Sequence, residues 1–330
     1  MHIDVLGILD VRQNGASIAP TAPKPRQVLA LLALHADQVV PVDALIDELW
    51  AGRSPRSART TLQTYVLQLR DLITLALERE TPDTDRTADL DPGRTADFDT
   101  DRATDRTGRA AGRTLDRSAG RGMDRGVPRR TAKDVLVTSP GGYMLVSDGG
   151  TSDVREFERL AGHGYRAMDA GDFRGAARLL REALALWTGS AFADVQRGAR
   201  LEMEAKRLEE SRLCALDQRI EADLRLGRHR ELLAELTVLT SRYSAHETLH
   251  AQFMLALHRS GRRGEALDAY HRLRSTLVRD LGLEPSAGLR RLQQSILKAA
   301  PETPLAAEHR MSATAPEAGR TGGGRLMRVN

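Results

Sequence analysis

Arg56–Ile73 reads RSARTTLQTYVLQLRDLI. Wound as a helix, its apolar residues Ala58, Leu62, Tyr65, Val66, Leu69, Leu72 and Ile73 fall on one side, at spacings of three, four and seven. The other side collects Arg56, Thr60, Thr61, Thr64, Leu67, Gln68 and Asp71. That face is short, polar and almost free of acid. A solvated helix in so charged a chain ordinarily carries Glu–Lys pairs. Thr, Gln and Arg are instead the side chains that bond phosphates and base edges in a major groove. An ordinary surface helix is the competing reading, and the flanking elements tip the balance. Two amphipathic segments come before and a Gly-Gly hairpin comes after, which is the order of a winged helix-turn-helix.

On the N-terminal side, Ile3, Val5, Leu6, Ile8 and Val11 read as a strand, and Gln13-Asn14-Gly15 as a turn. Pro25 suits the first turn of a helix reaching about Ala36, with Val28, Leu29, Leu31, Leu32 and Leu34 as its apolar residues. Pro41-Val42-Asp43 opens a second helix, Asp43–Trp50, and Gly52 and Pro55 punctuate before the third. Three short helices with tight connections fit a helix-turn-helix core. On the C-terminal side, residues 133–147 read as a hairpin: Val135–Val137, a turn at Pro140-Gly141-Gly142, and a return strand from Tyr143. In a winged helix that hairpin stands beside the recognition helix.

Between helix and hairpin, residues 78–132 are built from Asp, Arg, Thr, Ala and Gly. Large apolar residues are too few to offset chain entropy, so disorder is expected. Arg109, Arg113, Arg117, Arg121, Arg125 and Arg129 recur every four residues, but interleaved glycines argue against a cationic helix. An auxiliary DNA tether is the functional alternative. The insert interrupts the first domain, 1–147, without ending it.

Residues 152–299 show apolar periodicity throughout, over Asp153–Ala170, Asp172–Trp187, Ala199–Leu226, Arg230–Tyr243, Ala245–Ser260, Arg262–Leu281 and Ser286–Lys298. Breaks at Gly171, Gly227 and Gly261 recur. GDFRGAARLLREALALW and GRRGEALDAYHRLRSTL resemble each other, each with small residues that let helices approach closely. This looks like the tetratricopeptide pattern, whose concave surface binds protein. Residues 300–330 read as a disordered tail. The expected fold is mainly α: an N-terminal winged helix-turn-helix (α+β), then an all-α tetratricopeptide-like domain.

The totals exclude several classes. No run of eighteen apolar residues exists to span a membrane, and the N-terminus lacks the plan of a signal peptide. Cys214, the one cysteine, forbids an internal disulfide and reads as a small core residue. A cytoplasmic protein is expected. Net charge is +4, with lysine only at Lys24, Lys133, Lys206 and Lys298, so Arg supplies nearly all the base. GC-rich codons account for that bias globally, and local placement alone is informative. His246 and His250 have the spacing of a metal pair, but no HExxH sequence surrounds them. GxxxxGK[ST], GxSxG, CxxC and kinase motifs are missing, so neither catalysis nor a cofactor or metal is expected.

Thr60, Gln63, Thr64 and Gln68 are the candidates for the groove, since Gln bonds adenine bidentately and Thr meets a thymine methyl. Arg56, Arg59 and Arg70 are phosphate candidates. Arg59 falls nearer the apolar side by angle, and Asp43, Asp47 or Glu48 are alternative partners for it. Lys24 and Arg26 begin the first helix, where backbone amides also favour phosphate. Tyr143 at the hairpin is either core, which is slightly favoured, or a phosphate contact. Trp50, Trp187 and Phe192 read as packing residues.

The order of parts resembles the Streptomyces antibiotic regulatory protein (SARP) family. The motifs that carry the resemblance are VLGILDVR at 5–12, KPRQVLALLALHADQVVPVDALIDELW at 24–50, SARTTLQTYVLQLRDLI at 57–73 and SPGGYMLV at 139–146. They continue with FERLAGHGYRAMDAGDFRGAARLLREALALWTGSAFADV at 157–195 and the run from Arg207 to Leu297. The resemblance implies an OmpR-type DNA-binding domain followed by a bacterial transcriptional activator domain. It further implies an activator that binds promoter direct repeats in double-stranded DNA as a head-to-tail homodimer and contacts RNA polymerase, commonly for antibiotic gene clusters. The chain departs from the pattern at Leu67-Gln68, where the family usually has a Ser-Arg type pair, and at Asp71, where a further base is usual. Its loop between recognition helix and wing is also long, at a closure cost that grows only logarithmically. A scaffold that no longer reads DNA, and a repressor using the same contacts, are the alternatives.

Overall fold

The computed structural model describes residues 1–79 and 130–298; most of the expected insert and all of the expected tail lie outside the described residues. The elements run β1 (His2–Asp4), β2 (Asp10–Gln13), β3 (Ala16–Ser17), α1 (Pro23–Leu34), β4 (Val40–Pro41), α2 (Val42–Trp50), α3 (Ala58–Glu78), α4 (Ala132–Val135), β5 (Leu136–Ser139), β6 (Gly142–Leu145), β7 (Thr151–Ser152), α5 (Asp153–Asp169), α6 (Phe173–Ala185), α7 (Ala199–Arg225), α8 (His229–Arg242), α9 (Glu247–Arg259), α10 (Arg263–Thr276), a π-helical turn (Leu277–Leu281) and α11 (Ala287–Lys298). They form two compact units, divided after Leu236.

In the first unit, β1, β2 and β3 form an antiparallel meander, and β7 adds to β1 in parallel. A second sheet, in the order β4-β6-β5, holds the hairpin. Helix α1 is buried nearly all round, from Gln27 to Ala33, because α2, α3 and β6 all pack against it. The single strand expected over residues 3–11 is two strands with a break. The backbone between them has other partners: Phe192, Thr188 and Ala193 N–H donate to the carbonyls of Val5, Leu6 and Gly7. Residues 188–194 thus lie along the N-terminal segment.

The hydrophobic core shows how the winged helix meets the next helices. Phe157, Leu160, Leu180, Trp187, Phe192, Leu201 and Leu208 belong to one cluster with Val5, Leu29, Leu45, Leu62 and Leu145. Phe157 meets Trp187 edge to face at 5.6 Å, and Arg212 lies over the Trp187 ring. A sequence division near residue 150 is therefore not a division of the core. Trp187 and Phe192 are buried packing residues, and Trp50 packs half-buried against the same cluster.

Asp153, the first residue of α5, ties this helix to the sheet. Val5 and Leu6 N–H donate to its Oδ2 at 2.6 and 2.7 Å, and Val154 N–H to its Oδ1 at 2.7 Å. Burial nevertheless outweighs these bonds and pushes its pKa up to about 6. The native state therefore holds this proton more tightly than the unfolded chain does. Stability from this group is greatest below the unfolded-state value of 3.8 and is lost as pH rises through about 6. We expect Asp153→Asn, uncharged at every pH, to gain about 2 kcal/mol relative to wild type between pH 4.5 and pH 7. Denaturant melts at the two pH values measure it; an unchanged difference contradicts the assignment.

In the second unit α10 packs against α9 and α11, and α11 also meets α9. Gly171, Gly227 and Gly261 each have φ of 76–78°, ending a helix in the left-handed conformation that glycine adopts without strain. The amide after each glycine donates back to the preceding helix: Asp172 to Ala167, Arg228 to Asp223 and Arg262 to Leu257. The long helix expected over 262–281 passes instead into the π-helical turn, which Gly282, at φ 67°, closes. Cys214 is exposed, not core, because Ala215 takes the buried side of α7.

Candidate nucleic-acid interface

Helices α2 and α3 and the β5–β6 hairpin build the site. Ala58, Leu62, Val66, Leu69, Ile73 and Ala76 are buried and fix the rotation of α3 about its axis. Arg59, Thr60, Gln63, Thr64, Leu67, Gln68 and Asp71 are all exposed as a consequence. Thr60, Thr64 and Gln68 stand one turn apart in a row, with Gln63 beside them. The Thr64 hydroxyl donates to the Thr60 carbonyl at 3.2 Å, which turns its remaining lone pairs and its methyl outward. The helix is 21 residues long and ends at Glu78, five residues beyond Ile73.

The cations divide into two groups. Arg56 is exposed and makes no ion pair or hydrogen bond among the described residues. Arg53, in the turn before α3, is exposed in the same way; it escaped the sequence reading because it precedes the helical pattern. Arg59 reaches Asp43 at 3.3 Å, but both side chains are more than 70% exposed, so the pair is weak and exchanges readily for a phosphate. Arg70, Lys24 and Arg26 have internal work. Arg70 donates to the Leu136 carbonyl at 3.2 and 2.8 Å and to Thr138 Oγ1 at 2.8 Å. It positions the hairpin against α3 and is not a free phosphate ligand. Lys24 Nζ donates to the Leu49 carbonyl at 2.6 Å, joining α1 to α2. Arg26 donates to the Pro20 and Leu9 carbonyls and pairs with Asp194. Both hold the fold, and their sequence position at a helix start concealed those partners.

The hairpin turn is tight. Pro140 followed by Gly141 at φ 81° is the signature of a type II turn. A side chain on Gly142 would collide with the Val40 carbonyl, since β4 pairs with β6 there. Tyr143 is buried at 8% exposure and belongs to the core. The turn is therefore held at the start of α2, where Val42 N–H donates to the Gly141 carbonyl at 2.9 Å.

Glu48 is a residue whose importance the sequence concealed. It is 2% exposed. Its Oε1 accepts from Gly198 N–H at 2.6 Å and from Gln27 Nε2 at 3.1 Å. Its Oε2 accepts from Arg200 and Leu201 N–H at 2.8 and 3.2 Å. A carboxylate on α2 thus caps the N-terminus of α7, a 27-residue helix, where the helix dipole favours negative charge. A Cβ on Gly198 would strike the Glu48 carbonyl. The second helix of the helix-turn-helix is welded to the helical region. Among the described residues no group of three His, Cys, Asp or Glu side chains is placed to hold a metal.

Comparison with known proteins places this geometry. The profile of the transcriptional regulatory protein C-terminal domain matches residues 17–82, and that of the bacterial transcriptional activator domain matches 152–297. The regulatory protein DnrI of Streptomyces peucetius is 47% identical over 314 residues, which cover 93% of this chain and 98% of that one. The chain belongs to the SARP family. It is a transcriptional regulator. The SARP-family chain is also 32% identical over 302 residues to the regulatory protein AfsR of Streptomyces coelicolor, covering 91% of this chain but 24% of that longer protein. Its architecture matches EmbR of Mycobacterium tuberculosis, solved with a low-affinity phosphopeptide, with a TM-score of 0.69 at 29% identity over 90% of this chain and 64% of that one. Both the family and the structural likeness support the mainly α fold of a winged helix followed by helical repeats. The family boundary at residue 152 falls inside the first compact unit.

Proposed function

We propose that this regulator is a sequence-specific DNA-binding activator of a secondary-metabolite gene cluster. It reads promoter direct repeats with the outer face of α3, binds them as a head-to-tail homodimer and recruits RNA polymerase. The observation that supports it best is the exposed row Thr60, Thr64 and Gln68, with Gln63 beside it, on a helix whose opposite side is locked in the core. The outward groups are donors and acceptors of the kind that read base edges. Arg53, Arg56 and Arg59 sit at the start of that helix, where phosphate is favoured by charge and by the free backbone amides.

Leu67, 57% exposed, and Asp71 lie on the same face and supply no positive charge. They favour a second reading, an interaction scaffold with weak DNA binding. Gel shifts with the promoters of the neighbouring genes separate the two. The activator reading expects retention of one promoter over random duplex, with affinity falling steeply and linearly on a logarithmic salt scale. Equal, weak retention of all duplexes would favour the scaffold. Transcription in vitro with purified polymerase then distinguishes activation from repression.

A further inference from the structure

We propose that the second unit binds a small organic anion, an apolar body carrying a carboxylate or phosphate, in a cavity of about 530 Å³ between the last turns of α8 and the helices α9 and α10. The volume suits a small molecule more than a folded partner. Its lining divides by chemistry. Phe253, Ala269 and Leu273 are buried and give an apolar floor. Thr237, Thr240 and Ser241 line it from α8.

Charge at the exposed rim selects an anion. Glu265 is the one carboxylate in the lining, and Arg262 grips it with two hydrogen bonds of 2.7 and 2.5 Å. Arg272, also at the rim, makes no hydrogen bond or ion pair among the described residues. The lining sets two guanidinium groups against one carboxylate, a surplus of one positive charge, and the planar donors of Arg272 suit carboxylate or phosphate.

His250 adds a polar point on the floor. It is 7% exposed, and neither ring nitrogen makes a hydrogen bond of normal geometry with the protein. Burial, opposed by the nearby backbone of Ser244 and Thr240 and reinforced by Arg272 and His246, holds its pKa below the ordinary value. A neutral ring offers one donor and one acceptor. A buried polar group without such bonds costs stability unless something completes it. A hydroxyl or carbonyl on the ligand body does so.

Anilinonaphthalene sulfonate, an apolar ring system with one fixed negative charge, is the probe. Its fluorescence is titrated with the full chain, with phenyl phosphate, benzoate and inorganic phosphate as competitors. We expect saturable binding at one site per chain, displaced by phenyl phosphate or benzoate and not by inorganic phosphate. The better competitor of the two identifies the anionic group. Arg272→Gln weakens binding about tenfold, and Ser241→Trp, at an exposed lining position, abolishes it by filling the mouth. Both variants keep the wild-type circular dichroism and melt. No saturable binding, or binding unchanged in both variants, overturns the proposal. Loss in Ser241→Trp with no change in Arg272→Gln overturns the anionic class.

Discussion

Glu48→Ala is expected to destabilise the first unit by about 3–5 kcal/mol, lowering its melting temperature by roughly 10 °C. The substitution strips partners from the amides of Gly198, Arg200 and Leu201, all part-buried or buried, while the Gln27 side chain keeps its bond to the Glu48 carbonyl. Each such group, left unpaired, costs about 1–3 kcal/mol, and the first turn of α7 also loses its negative charge. Glu48→Gln is the graded control. Its one oxygen replaces either Oε1 or Oε2, and its amide faces donors at the other position, so an intermediate loss of about 2 kcal/mol follows. Gly198→Ala attacks the same joint from the other side, by collision with the Glu48 carbonyl. Calorimetry checks all three. If Glu48→Ala melts within a degree or two of wild type, the carboxylate is not the cap described.

The second large effect is on recognition. Thr64→Ala combined with Gln68→Ala is expected to reduce discrimination between the cognate promoter and random duplex by roughly 30-fold or more, since each base contact contributes about 1–3 kcal/mol. Both residues are exposed, so the melt changes by no more than about 0.5 kcal/mol. Arg56→Gln gives a different signature. It weakens cognate and random duplex alike and reduces the salt slope by about one, as loss of a phosphate contact does. Competition gel shifts at several salt concentrations read both. Undiminished discrimination in the double variant removes the reading face from α3.

Much of this arrangement was legible in the sequence because helices advertise themselves periodically. The buried row of α3 is the apolar row of Arg56–Ile73, and the exposed row is its polar complement. The glycine breaks at 171, 227 and 261 mark three helix ends for the same reason, a local conformation needing a local residue. What stayed hidden depends on contacts between distant residues. By sequence, Asp43, Asp47 and Glu48 are alternative partners for Arg59; Arg59 meets Asp43, and Glu48 faces a helix 150 residues on. Lys24, Arg26 and Arg70 looked like phosphate ligands because their carbonyl acceptors carry no sequence signal. The aperiodic loop 188–194 gave no sign that it would bond to residues 5–9.

These hidden contacts bear on how a regulator of this kind works. Asp153, Glu48 and Asp194 join the winged helix to α5, α7 and the loop between α6 and α7 through backbone amides. Glu48 thus ties the first turn of α7 to α2, whose C-terminus leads into α3 through the turn at Ala51 and Gly52.

The proposed reading sets the outer face of α3 against the bases. A photoactivatable cross-linker placed on a cysteine at position 64, in a chain carrying Cys214→Ser, tests it most directly. Cross-links to bases within the protected repeat are expected from position 64, and none from the same probe at position 203, an exposed site on α7. Cross-links from position 203 with none from position 64, on a duplex that the labelled protein still binds specifically, would contradict it.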